Sequence, residues 1–200
     1  MVYSIKSVDY LIRARSLLDS SDKAALFYAA FELRCGIEAR LKEYFDAQAE
    51  TTKKKRNGWK IDKLAKQVEA VFNLCDRGLR LVVFDAETNA LVATLLYTPV
   101  TSQLRKMAER LGGYLHSQNI KELDTNPYWA AMRKHLEMTY QELGFATSGT
   151  LMAPPLMHPT KKGAQFFCLE GDQRITFPPG KRIGMRYEIY ELEPLNEADF

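Results

Sequence analysis

The sequence predicts a mainly α-helical fold: a helical bundle, interrupted by a β-hairpin and followed by a small β-rich C-terminal appendage. Apolar residues recur at helical spacing through most of the first 146 positions. Two runs rich in β-branched residues, LRLVVFD and LVATLLY, flank the short polar segment AETNA, which is typical of a hairpin. Beyond them, prolines and glycines alternate with the short strand-like runs AQFFCLE, RITF and MRYEIYEL. We therefore expect a bundle over residues 1–146 and an appendage over residues 147–200 that packs on the bundle or on a second subunit.

Helical spacing and capping residues predict the first two helices. Residues 4–19 form the first, and Ser20, Ser21 and Asp22 then offer oxygen atoms that can accept hydrogen bonds from the free amides of the next helix. The second helix covers residues 23–48, and its first half, AALFYAAFEL, is apolar nearly all round. A helix of this kind belongs in the middle of a bundle.

Two more helices are placed on either side of the hairpin. The third runs over residues 61–75 with one apolar face, and we expect Gly78 to end it in the usual position of a left-handed cap. Thr101 or Ser102 caps the fourth helix, since either side chain can accept from a free amide of the first turn. The apolar seam of this helix is expected to consist of Leu104, Ala108, Leu111 and Leu115.

The last helix begins at Asn126-Pro127, where a proline in the first helical position loses no hydrogen bond. We expect Gly144 to close it. Its apolar stripe consists of Trp129, Met132, Leu136, Tyr140 and Leu143.

Composition and cysteine usage narrow the function classes. The net charge of +3 and the pI near 8.7 are mildly basic, so they permit a polyanionic partner without indicating a dedicated nucleic-acid binder. The N-terminus lacks the pattern of a signal peptide, and no apolar run is long enough for a membrane span. Cys35, Cys75 and Cys168 are far apart and form no metal-binding motif. We therefore expect a reduced cytoplasmic protein that uses no metal or other cofactor and no membrane partner.

The segment AERLGGYLHSQ, residues 108–118, is the best candidate for chemistry. Gly112 and Gly113 lie between Arg110 and His116, and each glycine inside a helix costs roughly 1 kcal/mol relative to alanine. We expect the pair to weaken or break the helix, and a break would let both side chains face one site. Arginine binds phosphate through a fixed fork of donors, and histidine carries a proton near neutral pH. Together they are sufficient to cleave RNA without a metal, with histidine moving the proton and arginine holding the developing charge.

Two segments together resemble the HEPN superfamily of helical bundles from prokaryotic defence and toxin systems. They are the long helix YAAFELRCGIEARLKEY, residues 28–44, and the later Arg-x5-His motif RLGGYLH, residues 110–116. The resemblance covers residues 3–143 and implies an HEPN-like antiparallel helical bundle. It also implies a metal-independent endoribonuclease that acts as a homodimer, with RNA as substrate and with an antitoxin as a further partner. On this resemblance Arg110 is the phosphate binder and His116 is the general acid or base.

Three further residues are candidates for supporting this site. Arg34 and Glu38 lie one turn apart on the second helix. They either pair with each other, or Glu38 accepts a hydrogen bond from His116 or Arg110 and thereby orients it. Tyr114 lies within the motif, and it either packs or contacts a base or phosphate of the RNA.

Other polar features are interpreted as structural or left open. His135 falls between apolar positions of the last helix, which favours a structural role, and His158 has no carboxylate at a telling spacing. The basic run KKKR at 53–56 either leads RNA inward or is simply solvated. Because the sequence contains no glycine-rich phosphate loop, HExxH or GxSxG motif, two function classes remain. They are an HEPN-type ribonuclease and a non-catalytic, HEPN-like dimeric scaffold or protein-binding module.

Overall fold

A computed structural model describes residues 5–46, 61–116, 126–152, 156–157, 164–165 and 182–192. The prediction of a mainly helical chain with a small antiparallel sheet is confirmed within these ranges. The helices are α1 (Ser7–Leu18), α2 (Lys23–Asp46), α3 (Ile61–Phe72), α4 (Ser102–Leu115) and α5 (Asn126–Ser148). The strands are β1 (Gly78–Asp85), β2 (Leu91–Tyr97), β3 (Leu156–Met157), β4 (Ala164–Gln165) and β5 (Ile183–Tyr190).

Helix α2 lies at the centre of the bundle, as its nearly all-round apolar sequence predicts. It contacts each of the other four helices. Its residues Ala29, Ala30, Leu33, Ile37 and Tyr44 are completely buried. Burying a Leu or Ile side chain contributes about 1.5–3 kcal/mol, so these residues add substantially to the stability of the core.

Hydrogen bonds between the helices define their relative directions. On α1, Ser7 Oγ donates to Glu43 Oε2 of α2 at 2.7 Å, and Arg13 Nε donates to Glu32 Oε2 at 2.8 Å, so α1 and α2 run antiparallel. Helix α5 runs parallel to α2 and antiparallel to α4. The parallel pairing follows from the contacts Phe27–Trp129 and Arg40–Ala146, and the antiparallel pairing from Thr101–Glu142 and Tyr114–His135.

Two of the predicted helix ends are wrong. Helix α3 ends at Phe72, and Asn73, with φ of 53°, takes the left-handed conformation that was assigned to Gly78. Asparagine tolerates this conformation better than most residues, and Gly78 instead begins β1. Helix α5 continues past Gly144 to Ser148 because the next turn, with Ala146 completely buried, packs in the core. The predicted cap is confirmed at Thr101, whose side chain accepts from the Leu104 amide.

The predicted hairpin is confirmed, and the C-terminal appendage extends it. Strands β1 and β2 pair antiparallel, and β5 pairs with the other side of β1, which gives the order β2-β1-β5. The run MRYEIYEL therefore lies in the same sheet as the hairpin. Of the run AQFFCLE, Ala164–Gln165 form β4, which pairs with β3; the run RITF lies outside the described residues.

None of the helices in the described part of the chain combines the length and the hydropathy that crossing a membrane requires. Cys35 is half-buried and Cys75 is exposed, and both are free thiols. Burial raises the pKa of the Cys35 thiol, with a smaller contribution from the neighbouring Glu38 carboxylate. Cys168, His158 and the basic run at 53–56 lie outside the described residues.

Candidate functional site

Helix α4 carries the Arg-x5-His motif and runs unbroken from Ser102 to Leu115. The prediction that Gly112 and Gly113 break the helix is therefore wrong. Three seam residues of α4 are buried in the core (Leu104, Ala108 and Leu111), and their packing outweighs the roughly 1 kcal/mol that each glycine costs. The helix ends only at His116, whose backbone is extended with φ of −88° and ψ of 162°.

Gly112 has a packing function that the sequence does not reveal. The Arg34 guanidinium of α2 lies against it, and Arg34 Nη1 donates to the Ala108 carbonyl at 3.2 Å. A Cβ at position 112 would stand 2.9 Å from Nη1, closer than a Cβ approaches a non-bonded neighbour in proteins, so the end of the Arg34 side chain would have to move. Arg34 can therefore reach the α4 backbone because residue 112 has no side chain.

Gly113 faces outward, between the two motif residues. No described heavy atom lies within 4 Å of the place that a Cβ at position 113 would occupy. Arg110 and His116 are both exposed, and within the described residues neither side chain has a hydrogen-bond or ion-pair partner. Six residues of helix separate them by a net rotation of about 120° and a rise of roughly 9 Å, with Gly113 about 60° from each.

The relation between Arg110 and His116 thus differs from the expected one. The two side chains do not turn toward a common cleft at a helix break. They stand instead on either side of Gly113, where the helix carries no side chain, and we call this feature the glycine gap. An extended polyanion lying across this gap could contact both side chains.

The supporting residues on α2 do not pair with each other, so that interpretation is wrong. Lys42 Nζ donates to Glu38 Oε1 at 2.7 Å, while Arg34 contacts α4. The guanidinium of Arg34 reaches α4 at Gly112, one turn of that helix before His116. Of the two supporting residues on α2, Arg34 is therefore the one that lies against the motif. Glu38 faces Lys42 rather than Arg110 or His116.

Tyr114 is held by a histidine that the sequence did not connect with the motif. Its hydroxyl lies 3.2 Å from Nδ1 of His135 on α5, and the ring centroids are 5.6 Å apart. Burial lowers the pKa of His135, and the positive charge of Arg110 lowers it further. Burial also raises the pKa of Tyr114, a change that Arg110 opposes. Arg110 lies one turn before Tyr114 on α4, and its charge contributes to both pKa shifts.

The sequence indicates only part of the cluster formed by Arg110, Tyr114 and His135. Arg110 and Tyr114 are four residues apart and therefore share one side of α4. His135 lies against Tyr114 because α4 and α5 pack antiparallel. This packing cannot be predicted from the spacing of residues along the chain. Within the described residues, no group of three or more His, Cys, Asp or Glu side chains is arranged to hold a metal ion.

The adjacent glycines provide a matched pair for a stability test. We expect Gly113→Ala to raise the free energy of unfolding by about 0.5–1 kcal/mol, since alanine is the better helix former and position 113 is open. Gly112→Ala brings the same helical gain but displaces the Arg34 guanidinium from the Ala108 carbonyl. We expect it to be neutral or destabilising in urea unfolding. Equal stabilisation by both substitutions would contradict the close approach of Arg34.

Comparison with protein-family models, with curated proteins and with solved structures finds no match for this chain. The resemblance to the HEPN superfamily therefore remains a prediction based on the motif residues of α2 and α4.

Proposed function

We propose that the protein is a metal-independent endoribonuclease of HEPN type, with a site built from Arg110 and His116 at a homodimer interface. The observation that carries the proposal is the glycine gap, with an exposed guanidinium on one side and an exposed imidazole on the other. A guanidinium that is committed to no carboxylate is available for a phosphate, and an exposed imidazole is available for proton transfer.

The chemistry follows from the two functional groups. His116, acting as a base, takes the proton from a 2′-hydroxyl of RNA, and the resulting oxygen attacks the adjacent phosphorus. The bond from phosphorus to the 5′-oxygen breaks, and this oxygen receives a proton from an acid, for which His116 of a second copy is suited. Arg110 stabilises the negative charge that builds up on the phosphate oxygens. The products are a 2′,3′-cyclic phosphate and a 5′-hydroxyl.

A second copy of the chain would complete this site. Within one copy Arg110 and His116 point about 120° apart, so a two-fold axis near the glycine gap would bring the arginine of one copy toward the histidine of the other. An interface here would cover two exposed apolar side chains: Leu115 next to His116 is 38% exposed, and Phe31, three residues before Arg34, is 49% exposed. As the HEPN resemblance implies, such an enzyme would act as a toxin or a phage-defence effector.

The proposal is tested by incubating the purified protein with a labelled RNA oligonucleotide in EDTA. We expect cleavage that EDTA does not reduce, products with a 2′,3′-cyclic phosphate, and no cleavage of the same sequence made of 2′-deoxynucleotides. The DNA oligonucleotide is the matched control because it lacks only the attacking hydroxyl. Absence of RNA cleavage, or cleavage that EDTA abolishes, would contradict the proposal.

A second candidate is the non-catalytic, HEPN-like dimeric scaffold or protein-binding module. It is favoured by an apolar stripe that runs from Ile5, just before α1, to Val8 and Ile12 of α1, which are 70%, 40% and 63% exposed. Exposed apolar stripes of this kind mark protein-binding surfaces, such as one that an antitoxin would cover. A dimer that cleaves no RNA, and that loses a protein partner upon Ile12→Lys, would favour this candidate over the enzyme.

A further inference from the structure

The buried ring of His135 has one nitrogen without a partner. His135 is 8% exposed, its Nδ1 lies 3.2 Å from the Tyr114 hydroxyl, and its Nε2 is buried with no hydrogen-bond partner among the described residues. A neutral imidazole has one N–H donor and one lone pair. The position of the proton therefore decides which kind of group is left unpaired.

The tautomer with the proton on Nδ1 leaves the less costly group unpaired. A proton on Nε2 would bury an unpaired N–H donor, and orphaned donors are rarer in proteins than under-satisfied acceptors. A doubly protonated ring would have the same defect, and burial disfavours its charge by lowering the pKa. With the proton on Nδ1, His135 donates to the Tyr114 oxygen. Because the Tyr114 oxygen accepts this hydrogen bond, the Tyr114 O–H can donate to an acceptor other than His135.

The hydroxyl of Tyr114 lies on the side of α4 that also carries Arg110. The two residues are four apart, which places them one turn from each other, about 5–6 Å between Cβ atoms. Tyr114 is half-buried and Arg110 is exposed, so a phosphate held in the fork of the guanidinium would lie beside the exposed part of the Tyr114 side chain. A hydroxyl that already accepts a hydrogen bond from His135 is a better donor toward such an anion.

We propose that Tyr114 donates a hydrogen bond to the same RNA phosphate that Arg110 binds, and that His135 is a positioning residue that holds the hydroxyl in its donating orientation. This inference rests on the proposed function, because it adds a second phosphate contact to that site. The ligand is the phosphodiester of an RNA backbone, and the two donors would fix its position relative to His116.

The first test reads the tautomer directly and needs no activity. Imidazole 15N shifts and long-range 1H–15N correlations of the full-length protein at pH 7.5 distinguish the two nitrogens of His135. We expect the proton on Nδ1, and the signals are assigned by their loss in His135→Phe. A proton on Nε2 would overturn the proposal whether or not the protein cleaves RNA.

The second test measures binding of an uncleavable 2′-deoxy oligonucleotide by fluorescence anisotropy. We expect Tyr114→Phe to weaken binding about 10-fold or more, since hydrogen bonds to charged groups are the stronger ones. Tyr140→Phe, a half-buried tyrosine of α5 that lies against Arg15, is the matched control and should bind as wild type. Unchanged binding by Tyr114→Phe, or no binding by the wild type, would overturn the proposal.

A double-mutant cycle separates positioning from general stability. We expect His135→Phe to weaken binding several-fold in the wild type and to have no further effect in the Tyr114→Phe background. Equal losses in both backgrounds would mean that His135 does not act through Tyr114. If His135→Phe does not fold, the Tyr114→Phe measurement decides the matter. Loss of binding in these variants of a protein that cleaves no RNA would support the phosphate site while contradicting the proposed function.

Discussion

His116→Ala is expected to lower the rate of RNA cleavage by about 10²–10⁴-fold while the melting temperature stays unchanged, because a positioned acid or base contributes this much to a rate. His116 is exposed, follows the last residue of α4 and has no partner among the described residues. Substitutions of such surface residues usually change stability by less than about 0.5 kcal/mol. The measurement is single-turnover cleavage in EDTA, together with thermal unfolding followed by circular dichroism.

Variants of Arg110 test the proposed contact with the RNA phosphate in the same cleavage assay. We expect Arg110→Ala to lower cleavage as strongly, and Arg110→Lys to restore only part of the rate, because lysine keeps the charge but lacks the planar fork of donors. Lys106→Ala is the matched control, since Lys106 is an exposed cation one turn earlier on the same helix and should cleave nearly as wild type. Cleavage that survives both His116→Ala and Arg110→Ala would remove these residues from the site.

Arg40→Ala is expected to lower the free energy of unfolding by about 2–5 kcal/mol, because it removes a completely buried side chain together with its hydrogen bonds. Arg40 is completely buried at the point where α2, α5 and the following chain meet. Its Nε donates to the Ala146 carbonyl at 2.9 Å and to the Tyr44 hydroxyl at 3.0 Å, and its Nη1 donates to Glu43 Oε2 at 3.3 Å. Alanine would remove these bonds and leave a cavity as well.

Two control variants test whether the large loss of stability expected for Arg40→Ala is due to the burial of Arg40. Arg80→Ala removes a solvent-exposed ion pair with Glu188, and we expect it to cost less than about 1 kcal/mol. Tyr44→Phe keeps the ring that packs against Phe72 and Tyr97 but removes the hydroxyl that donates to the Thr98 carbonyl. We expect an intermediate cost of about 1–3 kcal/mol in urea unfolding. A cost for Arg40→Ala no larger than that of Arg80→Ala would contradict the expected role of the buried guanidinium.

Local signals predicted most elements of the fold and only part of the candidate site. Thr101 is followed three residues later by the amide it caps, so its role depends on neighbours in sequence and could be predicted. The frequency of glycine at helix ends predicts that helices end at Gly78 and Gly144, but α3 ends at a left-handed asparagine and α5 continues through its glycine into buried packing. Glycine marks several kinds of position, and only the neighbouring chain decides which one applies.

The sequence by itself determined the helices, the hairpin and the central position of α2, because helical periodicity, β-branched runs and an all-round apolar surface act over a few neighbouring residues. It also supplied the chemistry of α4, with Arg110 and His116 six residues apart. Only the tertiary structure decided that Arg34 docks on Gly112, that His135 holds Tyr114 and that β5 completes the sheet beside β1. Each of these contacts joins residues that are 21 or more positions apart in the chain, and their geometry is set by how whole elements pack rather than by local preference.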